Sequence, residues 1–371
     1  MKKKIRIIHL TSVHPRYDTR IFFKMCLSLV NVEYDVTLIV ADNKGDEIKD
    51  KVSIVDVGMN GRSRLLRVTK TVKLIFEKAK ELNGDIYHLH DPELIPIGLK
   101  LKKLGKKIIF DMHEDVTKQI LSKNYLNSIT RTILSKLYEY YERRNLSKFD
   151  MVITATPYIR NKLLQLNSNI VDVNNYPLAE EFKNSSNFNK KNNEIVYVGG
   201  LSEIRGIEEL ILSLSFMKKV KLNLVGKFSN NQFENKLKNH NNWAQVNFHG
   251  FLDRHGVKKV LDKSRIGIVT LHPKINYLDS QPVKMFEYMS AGLPIVASNF
   301  PFWKDIIEGN NCGICVNPLN PKAISEAVNY LFNNPSEAER MGKNGIKIIK
   351  KIYNWFNEEK KLLFVYEKLL R

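Results

Sequence analysis

Long apolar runs are absent from this sequence of 371 residues. Crossing a bilayer takes roughly 20 consecutive apolar residues, so the sequence predicts no membrane-spanning helix. Residues 1–10 have the basic start of a signal peptide, but their apolar stretch is short and leads into polar Thr11 and Ser12 rather than a small-residue cleavage site. We therefore expect a first β-strand there, in a cytoplasmic protein.

Cysteine is also scarce, since Cys26, Cys312 and Cys315 are the complete set. Cys312 and Cys315 form a Cys-x-x-Cys pair, an arrangement that occurs in zinc and redox sites. A structural zinc ion needs about four ligands, and no second cysteine pair or nearby histidine pair completes the set. A redox pair would open a helix, whereas this pair lies in a turn that enters a short strand. We expect buried reduced thiols, with no metal and no cofactor.

Several nucleotide-binding motifs are missing too. The sequence has neither a Gly-x-Gly-x-x-Gly nor a Walker motif, which disfavours dinucleotide oxidoreductases and P-loop enzymes. Acidic residues are outnumbered, because 59 lysines and arginines face 39 aspartates and glutamates, for a net charge of +20. That balance favours contact with nucleic acid, anionic lipid or a phosphorylated substrate, although lysine spread over the whole chain also fits a solvated surface. No recognised nucleic-acid-reading module is present.

What the sequence does contain is a strand–helix alternation that occurs twice. The chain exceeds the size at which one core usually stops growing, which favours two domains. We predict strands at 5–10, 34–40, 85–90, 107–111, 150–155, 194–198, 221–225, 246–248, 266–271 and after Pro294. We predict helices at 19–30, 65–82, 94–104, 157–165, 207–217, 254–263, 301–308 and 322–333, a long helical region at 116–146, and one or two helices at 337–370. This order predicts an α/β fold with two doubly wound, Rossmann-like parallel sheets, in residues 1–175 and 176–351, joined by a linker at 174–193.

Polar residues follow two neighbouring strands of the predicted first sheet. His88, His90 and Asp91 come at the end of one, and Asp111 and His113 at the end of the next. Ligands of open α/β sheets bind beyond the carboxyl ends of the strands, so we expect chemistry at these positions.

The stretch 279–298 is the centre of the predicted second domain. Pro282 is suited to the first position of a helix, and the free N–H groups of that helix form an anion site. Asp279 precedes the helix and Glu287 lies within it, so two carboxylates flank a phosphate-binding helix end. Gly199 and Gly200 follow a strand directly, where the backbone can approach a ligand closely, and Arg205 can clamp a diphosphate.

With these motifs the chain resembles the retaining glycosyltransferases of family four, which have the GT-B architecture of two Rossmann-like domains facing a cleft. The match is closest at 286–298, FEYMSAGLPIVAS, where Glu287 takes the second position of the family's acidic Glu-x7-Glu motif. The resemblance implies that Glu287 binds the nucleotide ribose and that Asp279, in the first acidic position, contacts the donor sugar. It also implies that a C-terminal helix, at about 352–371, packs back on the first domain.

This chain departs from the family at the phosphate clamp. Gly200 occupies the usual arginine position, while Arg205 and Gly206 match the family's later Lys-Gly. The missing charge is predicted to come from Lys284 or Lys227. The predicted catalytic residues are His113, Arg205, Asp279 and Glu287. The predicted donor-binding residues are Gly199, Gly200, Arg205, Gly226, Lys227, Asp279, Ser280, Gln281, Pro282, Val283, Lys284 and Glu287. The predicted acceptor-binding residues are Arg16, Asp18, Arg20, His90 and His113.

The resemblance implies transfer of a sugar from a nucleotide sugar, UDP being the commonest nucleotide, to a saccharide acceptor with retained configuration and without a metal. The strand-end motifs at 90–94 and 111–115 are similar to those of bacterial enzymes that assemble O-antigen, lipopolysaccharide or capsule on lipid-linked saccharides. Basic segments at 62–73, 100–107 and 116–148 therefore predict peripheral contact with an anionic membrane. A GT-B nucleotide-sugar epimerase is the alternative enzyme, and a basic nucleic-acid-binding protein is the non-catalytic one.

Overall fold

The computed structural model describes residues 4–58, 66–123, 125–166, 169–182 and 191–371. The chain forms two compact units. Unit 1 comprises Met1–Asn175 and Trp355–Arg371, and unit 2 comprises Tyr176–Asn354. Residues 62–65, the start of a predicted basic segment, and residues 183–190 of the predicted linker lie outside the described ranges.

Unit 1 is built on an eight-stranded sheet in the order β3-β4-β2-β1-β5-β6-β7-β8. The strands are β1 (Arg6–Leu10), β2 (Asp35–Val40), β3 (Glu47–Lys49), β4 (Val52–Asp56), β5 (Ile86–Leu89), β6 (Lys107–Met112), β7 (Met151–Thr154) and β8 (Ile170–Asp172). All neighbours pair in parallel except β3 and β4, which form an antiparallel hairpin. The central strands are buried on both faces, which explains their continuous apolar runs.

Helices cover the sheet of unit 1. They are α1 (Leu27–Asn31), α2 (Val72–Leu82), α3 (Ile95–Lys103), α4 (Val116–Leu121), α5 (Ser128–Leu146), α6 (Pro157–Leu163) and the C-terminal helix. π-helical turns at Ile21–Cys26 and Arg67–Thr71 lead into α1 and α2. The helical region predicted at 116–146 is confirmed, but it is not one continuous helix. It is two helices, because α4 ends at Leu121 and Asn127 caps α5 by accepting a hydrogen bond from the Thr130 N–H.

Unit 2 is built on a six-stranded sheet in the order β11-β10-β9-β12-β13-β14, and every pair is parallel. The strands are β9 (Glu194–Val198), β10 (Lys221–Val225), β11 (Val246–Gly250), β12 (Ile266–Val269), β13 (Ile295–Ser298) and β14 (Gly313–Val316). The helices are α7 (Ile207–Ser213), α8 (Asn231–Lys238), α9 (Arg254–Lys263), α10 (Val283–Ser290), α11 (Pro301–Ile307), α12 (Pro321–Asn333) and α13 (Pro335–Lys351). Two α/β sheets, parallel apart from the pair β3 and β4, confirm the predicted fold class.

The C-terminal helix α14 (Trp355–Leu370) belongs to unit 1. Its buried side chains Leu362, Val365 and Tyr366 join the core beneath β1 and β2. The Trp355 indole N–H donates to the Ser28 hydroxyl at 3.0 Å. Within the described residues, no helix combines the length and the apolar character that a membrane span requires.

Candidate functional site

The phosphate-binding candidate of unit 2 lies where its strand order reverses. The chain passes from β9 to β10 on one side and later returns to β12 on the other, so a crevice is expected beyond the carboxyl end of β9. Gly199 follows β9 with φ +133° and Gly226 follows β10 with φ +144°. A Cβ at Gly226 would lie 1.8 Å from the Gly199 carbonyl oxygen, so both turns need glycine.

Two cationic side chains lie against this turn. A Cβ placed at Gly199 would stand 2.8 Å from Lys284 Nζ and 3.6 Å from an Arg205 guanidinium nitrogen. Arg205 also lies beside Tyr197 and Tyr277. Burial alone would lower the pKa of Arg205, but these two hydroxyls raise it. The structure thus places the predicted clamp residue Arg205 and the candidate Lys284 together.

Lys284 is buried, being 8% exposed, and its Nζ has no hydrogen-bond partner among the described residues. The amine lies 3.6 Å from the centre of the Tyr197 ring. Burial, and next the charge of Arg205, hold the pKa of Lys284 well below its ordinary value. The other candidate, Lys227, is exposed and lies over the Phe251 ring. Of the two candidate lysines, Lys284 is therefore the one that lies with Arg205 at the Gly199 turn.

Glu287 lies in the middle of α10 and is 5% exposed. Its carboxylate accepts a hydrogen bond from Arg254 at 2.6 Å, and Arg254 in turn makes two hydrogen bonds to Glu181 at 2.5 and 2.6 Å. The Arg254 guanidinium also lies over the Phe182 ring. Arg254 thus fixes the Glu287 carboxylate. Sequence reasoning missed Arg254, since nothing in its local sequence marks it.

The segment before α10 forms a turn. The helix begins at Val283, with Pro282 as its N-cap residue, one position later than predicted. The Ser280 hydroxyl donates to the Tyr277 carbonyl, and the Trp303 indole N–H donates to the Ser280 carbonyl at 2.8 Å. Asp279 is half-buried in this turn. The Gln281 side-chain oxygen is buried and has no hydrogen-bond partner among the described residues, so this turn has polar capacity for a ligand.

Unit 1 gathers its polar residues at the carboxyl ends of β5 and β6. Asp111 is fully buried, and one of its oxygens lies 3.2 Å from His90 Nδ1 and 2.9 Å from His113 Nε2. Arg20 pairs with both Asp111 oxygens at 2.7 and 2.8 Å and donates to the Val173 carbonyl. Burial alone would raise the pKa of Asp111, but the charges of Arg20 and His113 hold it well below its ordinary value.

His113 is 18% exposed on its side chain. Its ring lies 4.7 Å, centre to centre, from the ring of His14, which contacts Asp18 at 3.3 Å and Asp91 at 3.5 Å. Asp18 accepts hydrogen bonds from the backbone N–H groups of Arg20 and Ile21, so it holds the loop after β1. His113, His14 and Asp18 are partly exposed members of this cluster.

Arg16 is buried in a nest of oxygen atoms. Its guanidinium makes two hydrogen bonds to Asp42 and one to the Gly45 carbonyl, and it pairs with Glu47. This arrangement ties the loop after β1 to the hairpin region. Arg16, Asp18 and Arg20 were predicted to bind the acceptor. In the structure their side chains hold the loop after β1 in place.

A line of buried side chains extends behind Asp111, and sequence reasoning did not find it. His9 Nδ1 lies 2.9 Å from His90 Nε2, the Tyr366 hydroxyl lies 3.3 Å from His9 Nε2, and His88 Nδ1 lies 2.7 Å from the same hydroxyl. His9 and His88 are fully buried. Alternate residues of a strand share a face, which places His88 with His90 and could have suggested part of this line. Tyr366 is about 280 residues away in sequence.

Two groups of these side chains are close enough to share a metal ion, His9 with His88 and His90, and Asp111 with His90 and His113. In the first group the rings of His9 and His90 are stacked at 5.1 Å with planes 12° apart. Ring nitrogens bind metals in the plane of the ring, so stacked rings converge poorly on one ion. In the second group Asp111 is the only carboxylate, and Arg20 already balances its charge, which disfavours a metal ion there.

Comparison with known proteins gives the following matches. Residues 179–348 match the model described as "Glycosyl transferases group 1", and residues 19–173 match "Glycosyltransferase Family 4". No curated protein sequence matches the chain.

Among solved structures, the chain is similar to sucrose-phosphate synthase from Thermosynechococcus elongatus, with a TM-score of 0.79, 17% identity and 99% of each chain covered. It is similar to a glycosyltransferase from Rickettsia africae, with a TM-score of 0.75, 17% identity and 99% of each chain covered. It is also similar to Anabaena HepE in complex with UDP-glucose, with a TM-score of 0.73, 13% identity, and 98% of this chain and 100% of that one covered. These likenesses confirm the GT-B fold.

Proposed function

We propose that the chain is a glycosyltransferase of the family-four type whose donor is a nucleotide diphosphate sugar, because its two units match glycosyltransferase models in succession. The observation that carries this proposal is the pair of cations at the Gly199 turn. Lys284 is buried without a partner among the described residues, beside a second cation. A diphosphate between them would supply the missing negative charge.

The neighbouring carboxylates suit the rest of the donor. Glu287, held by Arg254, is proposed to accept hydrogen bonds from the ribose hydroxyls. Asp279 is proposed to accept hydrogen bonds from the hydroxyls of the donor sugar. The free N–H groups at the start of α10 lie between these two residues in the chain and add positive potential. Because Arg254 already fixes one oxygen of Glu287, ribose binding would cost little reorganisation.

The proposed reaction is transfer with retained configuration and without a metal. The departing nucleoside diphosphate gains negative charge in the transition state, and Arg205 and Lys284 are fixed cations that stabilise it. The proposed attack comes from an acceptor hydroxyl on the same face, with the leaving phosphate helping to remove its proton. His113, held by Asp111, is proposed to orient the sugar or the acceptor by hydrogen bonding.

UDP is the proposed nucleotide, supported by the fold shared with HepE, whose solved structure contains UDP-glucose. For the acceptor we propose a lipid-linked saccharide of bacterial surface polysaccharide assembly. The structural likeness to sucrose-phosphate synthase does not favour this pathway, so the support must come from the surface of unit 1.

That support is the outward face of α5. Ile129, Ile133, Leu137 and Tyr140 are each more than half exposed and recur at helical spacing on one face. The buried positions of the same helix are mostly polar, namely Ser135, Glu142 and Asn145. Lys136, Arg143 and Arg144 are exposed on the same helix. An apolar row among basic residues fits the surface of an anionic bilayer, where lipid-linked acceptors reside.

Thermal stabilisation by UDP-sugars and GDP-sugars, followed by product analysis, tests the donor assignment. The Glu287→Gln variant should bind its UDP-sugar about 10- to 100-fold more weakly, because a charged hydrogen-bond acceptor is lost. Glu326→Gln, at an exposed position of α12, is the matched control. Wild-type affinity in Glu287→Gln would refute the ribose contact. If an epimerised nucleotide sugar forms without any acceptor, the activity is that of an epimerase and not of a transferase.

A further inference from the structure

The line of buried side chains behind Asp111 is a continuous hydrogen-bonded chain. It begins at His88 on β5, passes through the Tyr366 hydroxyl of α14 and His9 of β1, and returns to His90 at the end of β5. Its last contact joins His90 Nδ1 to Asp111 at 3.2 Å. One helix and three strands of unit 1 therefore meet in a single polar path.

The direction of donation in this path is set at Asp111. An ionised carboxylate only accepts hydrogen bonds, and the paired Arg20 keeps Asp111 ionised. His90 must therefore carry its proton on Nδ1 and donate it to Asp111. Burial lowers the pKa of His90 to about 4, so the ring is neutral near pH 7 and its Nε2 can only accept.

The tautomer of His90 in turn sets the tautomer of His9. His9 must donate from Nδ1 to His90, which leaves His9 Nε2 as an acceptor for the Tyr366 hydroxyl proton. The Tyr366 oxygen then accepts from His88 Nδ1. Burial lowers the pKa values of His9 and His88 as well, so both rings are neutral.

The opposite direction costs more. It would turn a lone pair of His90 Nδ1 toward the Asp111 carboxylate. It would also place a proton on His88 Nε2, a buried nitrogen with no hydrogen-bond partner among the described residues. A buried donor without a partner is costlier than a buried lone pair, so the first direction is favoured.

We propose that Tyr366 is a positioning residue for His113, because its hydroxyl donates to His9 Nε2 and accepts from His88 Nδ1, and so holds the His9 ring that donates to His90 beside Asp111. With His90 donating, Asp111 is shared by Arg20, His90 and His113, and it accepts from His113 Nε2. In the neutral tautomer that donates from Nε2, the His113 lone pair is on Nδ1, where it can accept a hydrogen bond from a hydroxyl group. The effect on catalysis rests on the proposed function, whereas the tautomers do not.

Nitrogen NMR of the histidine-labelled full chain tests the path without any substrate. Near pH 7, His9, His88 and His90 should all be neutral with the proton on Nδ1, the minor form of free histidine. A proton on Nε2 of His9 or His90 would overturn the proposal. Added Zn²⁺ should leave these signals unchanged. Changes in the nitrogen signals of His90 and His113 at one equivalent of Zn²⁺ would overturn the proposal in favour of a metal site.

The Tyr366→Phe variant tests the effect on transfer. It keeps the buried ring and removes the hydroxyl, so His9 Nε2 loses its hydrogen-bond donor and the nitrogen signals of His9 should shift, and kcat should fall about tenfold, as expected for one lost hydrogen bond. The KM for the nucleotide sugar should stay within about twofold, because the donor residues lie in the other unit. Tyr34→Phe is the matched control, since the centre of its ring lies 6.2 Å from that of Tyr366.

Each outcome has a separate meaning. Unchanged His9 nitrogen signals and unchanged kcat in Tyr366→Phe would overturn the proposal. If the wild-type chain transfers no sugar, the proposed function fails, while the wild-type tautomers still decide the hydrogen-bonded path. Melting temperatures of both variants separate a loss of folding from a loss of positioning.

Discussion

Lys284 shows how a single residue can mark a ligand site. The buried Lys284 amine lies beside a guanidinium and has no hydrogen-bond partner among the described residues, and burial lowers its pKa. Such an arrangement costs folding free energy, so it fits a group that acts only when an anion is bound. Gly199 makes the position available, because any side chain there would meet the amine.

Replacing Lys284 with methionine removes the amine and keeps the apolar stem. We expect UDP affinity to fall about 10- to 100-fold, since a charge-assisted hydrogen bond is lost, while the melting temperature stays equal or rises. Calorimetric titration measures the affinity. Lys227→Met is the matched control and should stay within about twofold, because exposed charges contribute little. A larger loss for Lys227→Met than for Lys284→Met would assign the clamp to Lys227.

The same residue predicts a pH dependence of donor binding. In the free protein the pKa of Lys284 is low, and a bound diphosphate would raise it by adding negative charge. Binding should therefore take up a proton, and affinity should increase as the pH falls toward the pKa of the free protein. Titrations in buffers of different ionisation enthalpy count this proton. The Lys284→Met variant should lose the uptake, and uptake that persists there would point to another group.

Sequence reasoning reached part of this site. Glu287 and Arg205 could be predicted because motif spacing places them. The sequence could not decide between Lys284 and Lys227, because that choice depends on the turns at Gly199 and Gly226, where α10 lies against β9. Arg254 and Tyr366 were missed because their partners are distant in sequence, and only the folded chain joins them.

At the scale of elements, α5 has its apolar and polar faces reversed. A surface helix normally buries its apolar stripe, yet α5 buries Ser135, Glu142 and Asn145 and exposes Ile133 and Leu137. The basic character of 116–148 was visible in the sequence. The apolar row was not, because the capped break before Ser128 sets which residues face outward.

Substituting Ile133 and Leu137 with serine tests the bilayer proposal. The double variant should bind vesicles containing anionic lipid about tenfold or more weakly, since roughly 2 kcal/mol or more of apolar transfer is lost, and its fold should be unchanged. Sedimentation with phosphatidylglycerol vesicles at low and high salt measures this. Phe364→Ser, an exposed residue of α14, is the matched control. Wild-type binding that is absent, or insensitive to salt, would contradict the electrostatic part.

At the scale of the whole molecule, each unit has its own core. The strand–helix alternation was enough to predict two parallel sheets, because β-strand runs and helical periods are local features of sequence. The hairpin of β3 and β4 and the short strand β8 were missed, since three- to five-residue strands leave a weak pattern. The chain also returns to unit 1 only at Trp355, slightly later than residue 352.

Ending the chain after Asn354 should affect the two units differently. Trp355, Leu362, Val365 and Tyr366 are each at most 3% exposed, and losing their burial costs on the order of 6–12 kcal/mol, comparable to the stability of a whole domain. Hydrogen exchange should therefore show lost protection in the strands of unit 1 and retained protection in those of unit 2. The shortened chain should still be stabilised by UDP but should transfer no sugar, because the proposed phosphate site lies in unit 2. Removing only residues 370–371, where Leu370 is 41% exposed, is the control and should change neither unit. Full protection of unit 1 without α14 would show that the helix is dispensable for its fold.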